Sequence, residues 1–156
     1  MIIKESDLFK GVSLGALEKI ASLCQEKVFG AGEVIFRSGD PAESFFVLQE
    51  GQVDVFVSGQ GGSGIHFVMS TPGDLFGFMA LAEPPVHVAT ATAISGVKAV
   101  QVPVDAVQRL IDSPTSDALI FLRNLVTLLA KRLRRAYGLV AEEVARETAP
   151  EIKSYG

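Results

Sequence analysis

The sequence predicts a mainly β domain with flanking helices, in which a jelly-roll-like β-roll (a double-stranded β-helix) lies between short N-terminal helices and a long C-terminal helix. Three observations predict this fold. Apolar residues alternate with a period of two in about seven short runs between residues 25 and 102, which is typical of β-strands. Glycine-containing turns separate these runs at a spacing of about ten residues, as in barrels and sandwiches. On both sides of this region the apolar period becomes that of a helix.

The predicted strands share β-branched or aromatic residues at alternate positions. They lie at residues 26–29, 34–36, 45–48, 53–57, 65–69, 86–93 and 97–102. Glycine-rich residues 59–64 predict a flexible hairpin tip between two of these strands. Ahead of the first strand, Ser6 and Ser13 each precede apolar residues at helical spacing, which predicts two short helices.

Length and composition predict a single globular domain. The chain has 156 residues, of which 48% are hydrophobic and 21% are charged, so it can bury a sizeable core. We expect this domain to span residues 1–146, with the β-roll at about 25–102, helices at about 105–146 and a tail at 147–156. A formal net charge of −4 disfavours a general affinity for nucleic acid.

The predicted cellular location rests on the absence of a signal peptide, a membrane span and paired cysteines. The N-terminal residues do not show the basic segment and apolar run of a signal peptide, and no run reaches the roughly 18 apolar residues of a membrane span. Cys24 is the only cysteine, which excludes an internal disulfide and a cysteine-based zinc or iron–sulfur site. A cytoplasmic location without membrane contact is therefore expected.

Residues 73–93 carry the strongest functional signal. They predict a loop, one turn of helix opened by Phe76-Gly77, a break at Pro84-Pro85 and then the strand 86–93. A glycine before a helical turn leaves backbone N–H groups pointing outward, where an anion is readily bound. The segment is therefore a candidate phosphate cradle.

This segment resembles the phosphate-binding cassette of cyclic nucleotide-binding domains of the catabolite activator and fumarate-nitrate regulator type. Phe76-Gly77, the helical turn after it and Ala89-Thr90 match the cassette without a gap, and the turn glycines fall where that family places them. The resemblance covers about residues 5–140 and implies the β-roll fold. It also implies a nucleotide-type site built around the cassette.

Two cassette positions depart from the family pattern. Phe78 stands where the resemblance implies a glutamate that accepts the ribose 2′-hydroxyl, and His87 stands where it implies an arginine that pairs with the cyclic phosphate. The cassette is thus predicted to be degenerate, with its two polar anchors missing. The candidate ligand-binding residues are Phe76, Gly77, Phe78, Met79, Ala80, His87, Ala89 and Thr90.

The residues after Pro103 predict two helices. The first spans residues 105–111, and the second begins at Ser113-Pro114, a capping side chain followed by proline at the first helical position. Along the second helix, residues at alternating spacings of four and three form a heptad seam. The seam consists of Leu122, Val126, Leu129, Leu133 and Ala136.

A second apolar face lies beside the seam and consists of Leu119, Ile120, Phe121, Leu125 and Leu128. One of the two faces is enough to cover the β-roll. We therefore expect the second face to pack on the roll and the seam to pack on another copy of the chain, in a homodimer.

Four cations, Lys131, Arg132, Arg134 and Arg135, precede Gly138. Basic helices can lie along nucleic acid phosphates, but cations also complement the dipole at a helix C-terminus, and glycine is a common C-terminal cap. We interpret the cluster as the complement of a helix that ends near Gly138. Only residues 147–156 could remain after the predicted C-terminal helices, and a DNA-reading module needs several helices, so direct DNA binding is not expected.

The sequence predicts no enzyme activity, no cofactor and no metal site. Metal-binding β-rolls of the cupin type need a cluster of histidine and carboxylate ligands, and His66 and His87 are the only histidines. No motif of a catalytic triad occurs. Either histidine could in principle ligate haem, although histidines in β-runs are more often packed or at the surface.

Three functional hypotheses follow. In the first, the module senses a small anionic or apolar ligand under the cassette, using backbone N–H groups near Gly77 and His87 as a weak, pH-dependent cation. In the second, Phe78 fills the pocket and the protein is a dimeric module that interacts with a protein partner. In the third, cyclic nucleotide binding persists, although the two missing contacts would weaken it by roughly 3–6 kcal/mol, or about two to four decades in affinity.

Overall fold

The computed structural model describes the backbone of residues 1–155 and the side chains of residues 1–147. The strands are β1 Gln25–Phe29, β2 Val34–Phe36, β3 Ser44–Glu50, β4 Val53–Ser58, β5 Gly64–Met69, β6 Leu75–Phe76, β7 Thr90–Ala93 and β8 Val97–Pro103. They form two antiparallel four-stranded sheets, with the strand orders β1-β8-β3-β6 and β2-β7-β4-β5. The helices are α1 Leu14–Ala21, α2 Val104–Asp112 and α3 Ser116–Tyr155, with 3₁₀ turns at Ile2–Glu5, Asp7–Phe9, Gln60–Gly62 and Phe78–Leu81. The predicted mainly β fold with short N-terminal helices and a long C-terminal helix is confirmed.

The strand prediction fails in one place and is incomplete in another. Within residues 86–93 only Thr90–Ala93 is a strand. Ahead of it, the N–H of His87 donates to the carbonyl of Asp40 at 2.9 Å, and the N–H of Gly39 donates to the carbonyl of His87 at 2.8 Å. The chain therefore pairs first with the turn after β2 and joins the second sheet only at β7. β6 was not predicted, because a strand of two residues has no visible period.

The N-terminal caps agree with the sequence. The hydroxyl of Ser6 accepts from the N–H of Leu8 at 3.3 Å, and the hydroxyl of Ser13 accepts from the N–H of Ala16 at 3.3 Å. The first cap opens a 3₁₀ turn and the second opens α1. Both short helical segments are thus present, as predicted.

The start of α3 differs from the prediction. The helix begins at Ser116 rather than at Pro114, and the hydroxyl of Thr115 accepts from the N–H of Ala118 at 3.3 Å. Ser113 instead closes the preceding helix, where its N–H donates to the last turn of α2 at 3.3 Å. Thr115 is therefore the cap of α3, and the sequence pattern misplaced it by two residues.

The predicted end of the long helix near Gly138 is wrong. The helix continues through this glycine to Tyr155, so most of the predicted tail at 147–156 is helical, and Gly156 lies outside the described residues. Leucine, alanine and glutamate residues on either side of Gly138 favour a helix, and one glycine costs only about 1 kcal/mol against alanine. The four cations before Gly138 consequently lie inside the helix, and their interpretation as the complement of a helix end is wrong.

Two hydrophobic clusters share the strands of the first sheet. In β3, Phe46 and Leu48 belong to the inner cluster, which also takes residues from the second sheet. The alternating residues Phe45 and Val47 belong to an outer cluster with the N-terminal helices, α2 and α3. Because both faces of β3 are buried, this strand is a nearly continuous apolar run in the sequence.

The outer cluster holds the first half of α3 in place. Phe121 is fully buried, and its ring centroid lies 5.7 Å from that of Phe9. The side-chain amide of Asn124 donates to the carbonyls of Leu8 and Lys10 at 2.9 and 2.8 Å. The predicted second face is thus largely packed, but against the N-terminal turns and α2 as well as the sheet, and Leu119 does not belong to it because it is 67% exposed.

Candidate ligand-binding site

The cassette backbone turns at Gly77, which joins β6 to the 3₁₀ turn Phe78–Leu81. Gly77 has φ +79° and ψ 22°, in the left-handed region that favours glycine. A Cβ at this position would lie 3.2 Å from Cε2 of Phe36 and 3.5 Å from Cε1 of His87. The positive φ therefore favours glycine here, and a Cβ would in addition be crowded against the ring of Phe36.

Most of the cassette residues singled out in the sequence border one cavity. Those that line it are Phe76, Gly77, Phe78, Met79, His87 and Ala89. Ala80 is buried and does not border it. Thr90 does not border it either, and its hydroxyl accepts from the N–H of Ser38 at 3.1 Å, a contact that joins β7 to the turn after β2.

The cavity has a volume of about 390 Å³ and lies between the cassette, β4, β5 and α3. The side chains that border it are apolar except for those of His87 and Arg132. The strands contribute Val55, Val57, Phe67 and Met69, and the helix contributes Leu129, Arg132, Leu133 and Ala136. Phe78 forms part of the wall and leaves the space open, so the hypothesis of a pocket filled by Phe78 does not describe this structure.

His87 lies in the cassette wall as a packed ring. It is only 5% exposed, and its ring stacks on that of Phe36 with a centroid distance of 3.7 Å and an interplanar angle of 10°. Burial lowers the pKa of His87 below its ordinary value of 6.5, and the charge of Asp40 opposes this shift only in part. At neutral pH the imidazole is therefore uncharged, and it does not supply the weak cation that the first hypothesis required.

The cation that borders the cavity comes instead from α3. The guanidinium of Arg132 donates to the carbonyl of Leu75 in β6 and stands 5.4 Å above the ring centroid of Phe78. Burial lowers the pKa of Arg132, the charge of Asp74 raises it and that of Arg135 lowers it, but an arginine stays protonated at any physiological pH.

Sequence reasoning missed Arg132 as a site residue. It assigned all four cations of the basic cluster to a helix end near Gly138, whereas α3 continues through this residue. One signal was present, because Arg132 follows Leu129 by three residues and precedes Ala136 by four, which places it on the same face of the helix as these two apolar residues. A cation within an apolar stripe indicates a position that faces something other than water.

The second histidine lies outside this site. His66 of β5 is exposed, its Nδ1 lies 2.9 and 3.1 Å from the two carboxylate oxygens of Asp54, and its ring stacks on Phe56 at 4.4 Å. Within the described part of the chain, no group of three or more histidine, cysteine, aspartate or glutamate residues has the arrangement of a metal site. The two histidines therefore serve separate local contacts.

The seam of α3 divides between the cavity and solvent. Leu129, Leu133 and Ala136 border the cavity. Leu122 and Val126 do not, and Val126 is 67% exposed. The predicted seam is thus an apolar stripe that is shared between the β-roll and the outer surface of the helix.

A β-roll with a cassette turn at the mouth of a cavity and a long helix across it defines the class of cyclic nucleotide-binding domains. The chain belongs to this family, since the family model described as the cyclic nucleotide-binding domain matches residues 26–113. The match includes the whole cassette and all eight strands apart from the first residue of β1.

Individual relatives support the same assignment. The chain is 27% identical over 142 residues to the CRP-like cAMP-activated global transcriptional regulator of Mycobacterium tuberculosis, a stretch that covers 90% of this chain and 61% of that protein. It is 30% identical over 131 residues to Glutaminase 1 of Bradyrhizobium diazoefficiens, with 84% of this chain and 21% of the enzyme covered. In both cases the chain spans less than two thirds of the relative.

A solved structure has the same fold. The catabolite activator protein of Thermus thermophilus superimposes with a TM-score of 0.71 and 27% sequence identity, covering 87% of this chain and 62% of that one.

In residues 1–155, none of the helices combines the length and apolarity needed to cross a bilayer.

Proposed function

We propose that this chain is a non-catalytic regulatory module that senses a small molecule in its β-roll cavity and does not bind cyclic AMP in the manner of its family. One observation carries the proposal: the cassette keeps its backbone turn and an open cavity, but Phe78 and His87 stand at the two positions of the polar anchors. The backbone scaffold of a ligand site is thus retained while its specificity for a nucleotide is not.

The two substitutions lower the expected affinity for cyclic AMP. Loss of a charge-assisted pair with the phosphate removes about 1.5–3 kcal/mol, and an unpaired ribose hydroxyl costs about 1–3 kcal/mol more. His87 does not compensate, because its ring is neutral and stacked against Phe36. The combined loss corresponds to about two to four decades in affinity.

Titration calorimetry with cyclic AMP tests the proposal. We expect a dissociation constant weaker than about 10 μM for the unmodified chain. The double variant Phe78→Glu with His87→Arg reinstalls both anchors and should bind at least about tenfold more tightly. A matched control is Phe56→Glu with His66→Arg, which makes the same two changes in a stacked pair outside the cavity.

The outcomes are distinct. Tight binding of cyclic AMP by the unmodified chain would contradict the proposal and establish a genuine cyclic nucleotide-binding protein. A gain in the cassette double variant but not in the control would support it. Equal gains in both double variants would show that the gain does not depend on the cassette positions, and the argument from the missing anchors would fail.

We also propose that the module is a homodimer, with the outer surface of α3 as the interface. Val126 is 67% exposed and Leu122 is 38% exposed, and their spacing of four residues places both on one stripe that does not border the cavity. Each aliphatic side chain of this kind contributes about 1.5–3 kcal/mol when it is fully buried, before the cost of association. The stripe has the heptad spacing by which helices pair along a seam, which favours the same helix of a second copy as its partner.

A further inference from the structure

We infer that the cavity takes an amphipathic monoanion, with an apolar body against the cassette and a carboxylate or sulfonate group paired with Arg132. This inference rests on the proposed ligand-sensing function and names the chemistry of the ligand for the same cavity. It transfers the role of the anion partner from the cassette to α3.

The apolar body of the ligand is inferred from the side chains that line the cassette cavity. The volume of about 390 Å³ lies within the range of about 300–1,000 Å³ that is usual for small-molecule sites. On the cassette side the only polar side chain is that of His87, whose ring is held flat against Phe36. Hydroxyl groups of a sugar would find no side-chain partners on this wall, whereas an aromatic or branched hydrocarbon body would fit it.

The anionic group follows from the contacts of Arg132. Of the donors on its guanidinium, one is used on the carbonyl of Leu75, and one face of the group lies over Phe78. Among residues 1–147, no carboxylate lies within 4 Å of Arg132 to form an ion pair, whereas Lys131 has such a partner in Asp7 at 4.0 Å. A partly desolvated guanidinium with unused donors at the edge of an apolar cavity is a strong receptor for an anion.

The orientation of the ligand is inferred from a second, smaller cavity that also borders Arg132. This cavity has a volume of about 200 Å³, and its lining includes Arg135, Asp7 and Asp74. It is mainly polar in character, in contrast to the cassette cavity. Arg132 therefore stands at the boundary between an apolar and a polar compartment, which is where the head of an amphipathic anion belongs.

A pair of fluorescent probes separates the two halves of this inference. 8-Anilinonaphthalene-1-sulfonate carries an apolar aromatic body and a sulfonate, and N-phenyl-1-naphthylamine is the same body without the charge. We expect both probes to bind the full chain with one site per chain. Arg132→Gln should weaken binding of the sulfonate probe by about tenfold or more and leave the affinity for the neutral probe within about twofold.

Two further variants locate the site. Arg134→Gln removes the same charge from an exposed position on the same helix and should change neither affinity. Val55→Trp places a large ring in the cavity from β4 and should abolish binding of both probes. Circular dichroism of each variant shows whether the fold is kept, and retained binding of the neutral probe by Arg132→Gln is an independent check on the cavity.

Each of the other possible results would overturn a specific part of the inference. If Arg132→Gln changes the affinities for the two probes equally, or if Arg134→Gln has the same effect, the pairing with Arg132 is wrong, while the proposed sensing function stands. If Val55→Trp still binds the probes, they lie on the exposed stripe of α3 and the inference falls. If neither probe binds the unmodified chain at all, the cavity does not take an amphipathic aromatic anion and the inference is wrong, while the proposed function is decided by the titrations with cyclic AMP.

Discussion

The two walls of the cavity are held in place in different ways. The cassette wall is part of the inner core, where the ring of Phe76 stacks on Phe46 at 5.2 Å and on Phe36 at 6.3 Å. The N–H and the carbonyl of His87 are both hydrogen-bonded to the turn after β2. The helix wall, at residues 129–136, has no side chain buried to that degree. Its described contacts with the β-roll include Arg132 on Leu75 and the guanidinium of Arg135 5.3 Å above Phe67.

This difference assigns separate tasks to two successive segments of α3. Residues 116–128 are anchored by buried side chains and by hydrogen bonds to the N-terminal turns, and residues 129–136 carry the guanidinium groups that face the β-roll. A ligand in the cavity would therefore lie between a fixed wall and a wall that is held by few contacts. A regulatory element moves at the lowest cost in free energy where few buried contacts have to break.

The largest effect is expected at the anchor of the helix. Phe121→Ala should lower the free energy of unfolding by about 3–5 kcal/mol, because Phe121 is fully buried against Phe9 and the removed ring leaves a cavity. Urea unfolding followed by circular dichroism measures the change. Leu119→Ala is the matched control on the exposed side of the same turn and should change stability by no more than about 0.5 kcal/mol. Equal losses in the two variants would show that the helix is covered on both sides.

The second-largest effect is expected at the exposed apolar stripe of α3, the proposed dimer interface. Val126→Asp should convert a dimer into a monomer, since it places a carboxylate in the interface of both chains, next to its symmetry mate. It is a cleaner test than Leu129→Asp, because Leu129 also borders the cavity. Light scattering after gel filtration should give about twice the chain mass of 16.6 kDa for the unmodified chain and one chain mass for the variant.

Thr127→Asp provides the control for this test. Thr127 is exposed and adjacent to Val126 but lies off the stripe, so the added charge should leave the dimer intact. A mass of one chain for the unmodified protein at concentrations of tens of micromolar would end the dimer proposal. In that case the exposed stripe would need another explanation, and the cavity arguments would be unaffected.

The sequence was sufficient for the features that depend on local pattern. Alternating apolar runs and turn glycines predicted the β-roll, and the spacing around Phe76-Gly77 predicted the cassette turn. The sequence did not identify the side chain that supplies the charge, because the position of Arg132 at the cavity depends on how α3 docks on β6, 57 residues away. It also misjudged Gly138, since a glycine is a cap only when the residues after it do not continue the helix.

The smallest expected effect is a pH dependence that arises in the cassette wall. The pKa of His87 in the folded chain is lowered by burial, so between that pKa and about 6.5 the unfolded chain binds a proton that the folded chain does not. The contribution of His87 to stability is therefore complete above pH 6.5 and declines as the pH falls towards the folded pKa. His87→Phe keeps an aromatic ring on Phe36 but cannot titrate, so it should lose less stability than the unmodified chain between pH 7.5 and pH 5.5. Urea unfolding of both proteins at the two pH values measures this difference. An identical loss in both would show that His87 becomes protonated without leaving its place in the wall, and that the cassette is not as dry as the stacking of these rings indicates.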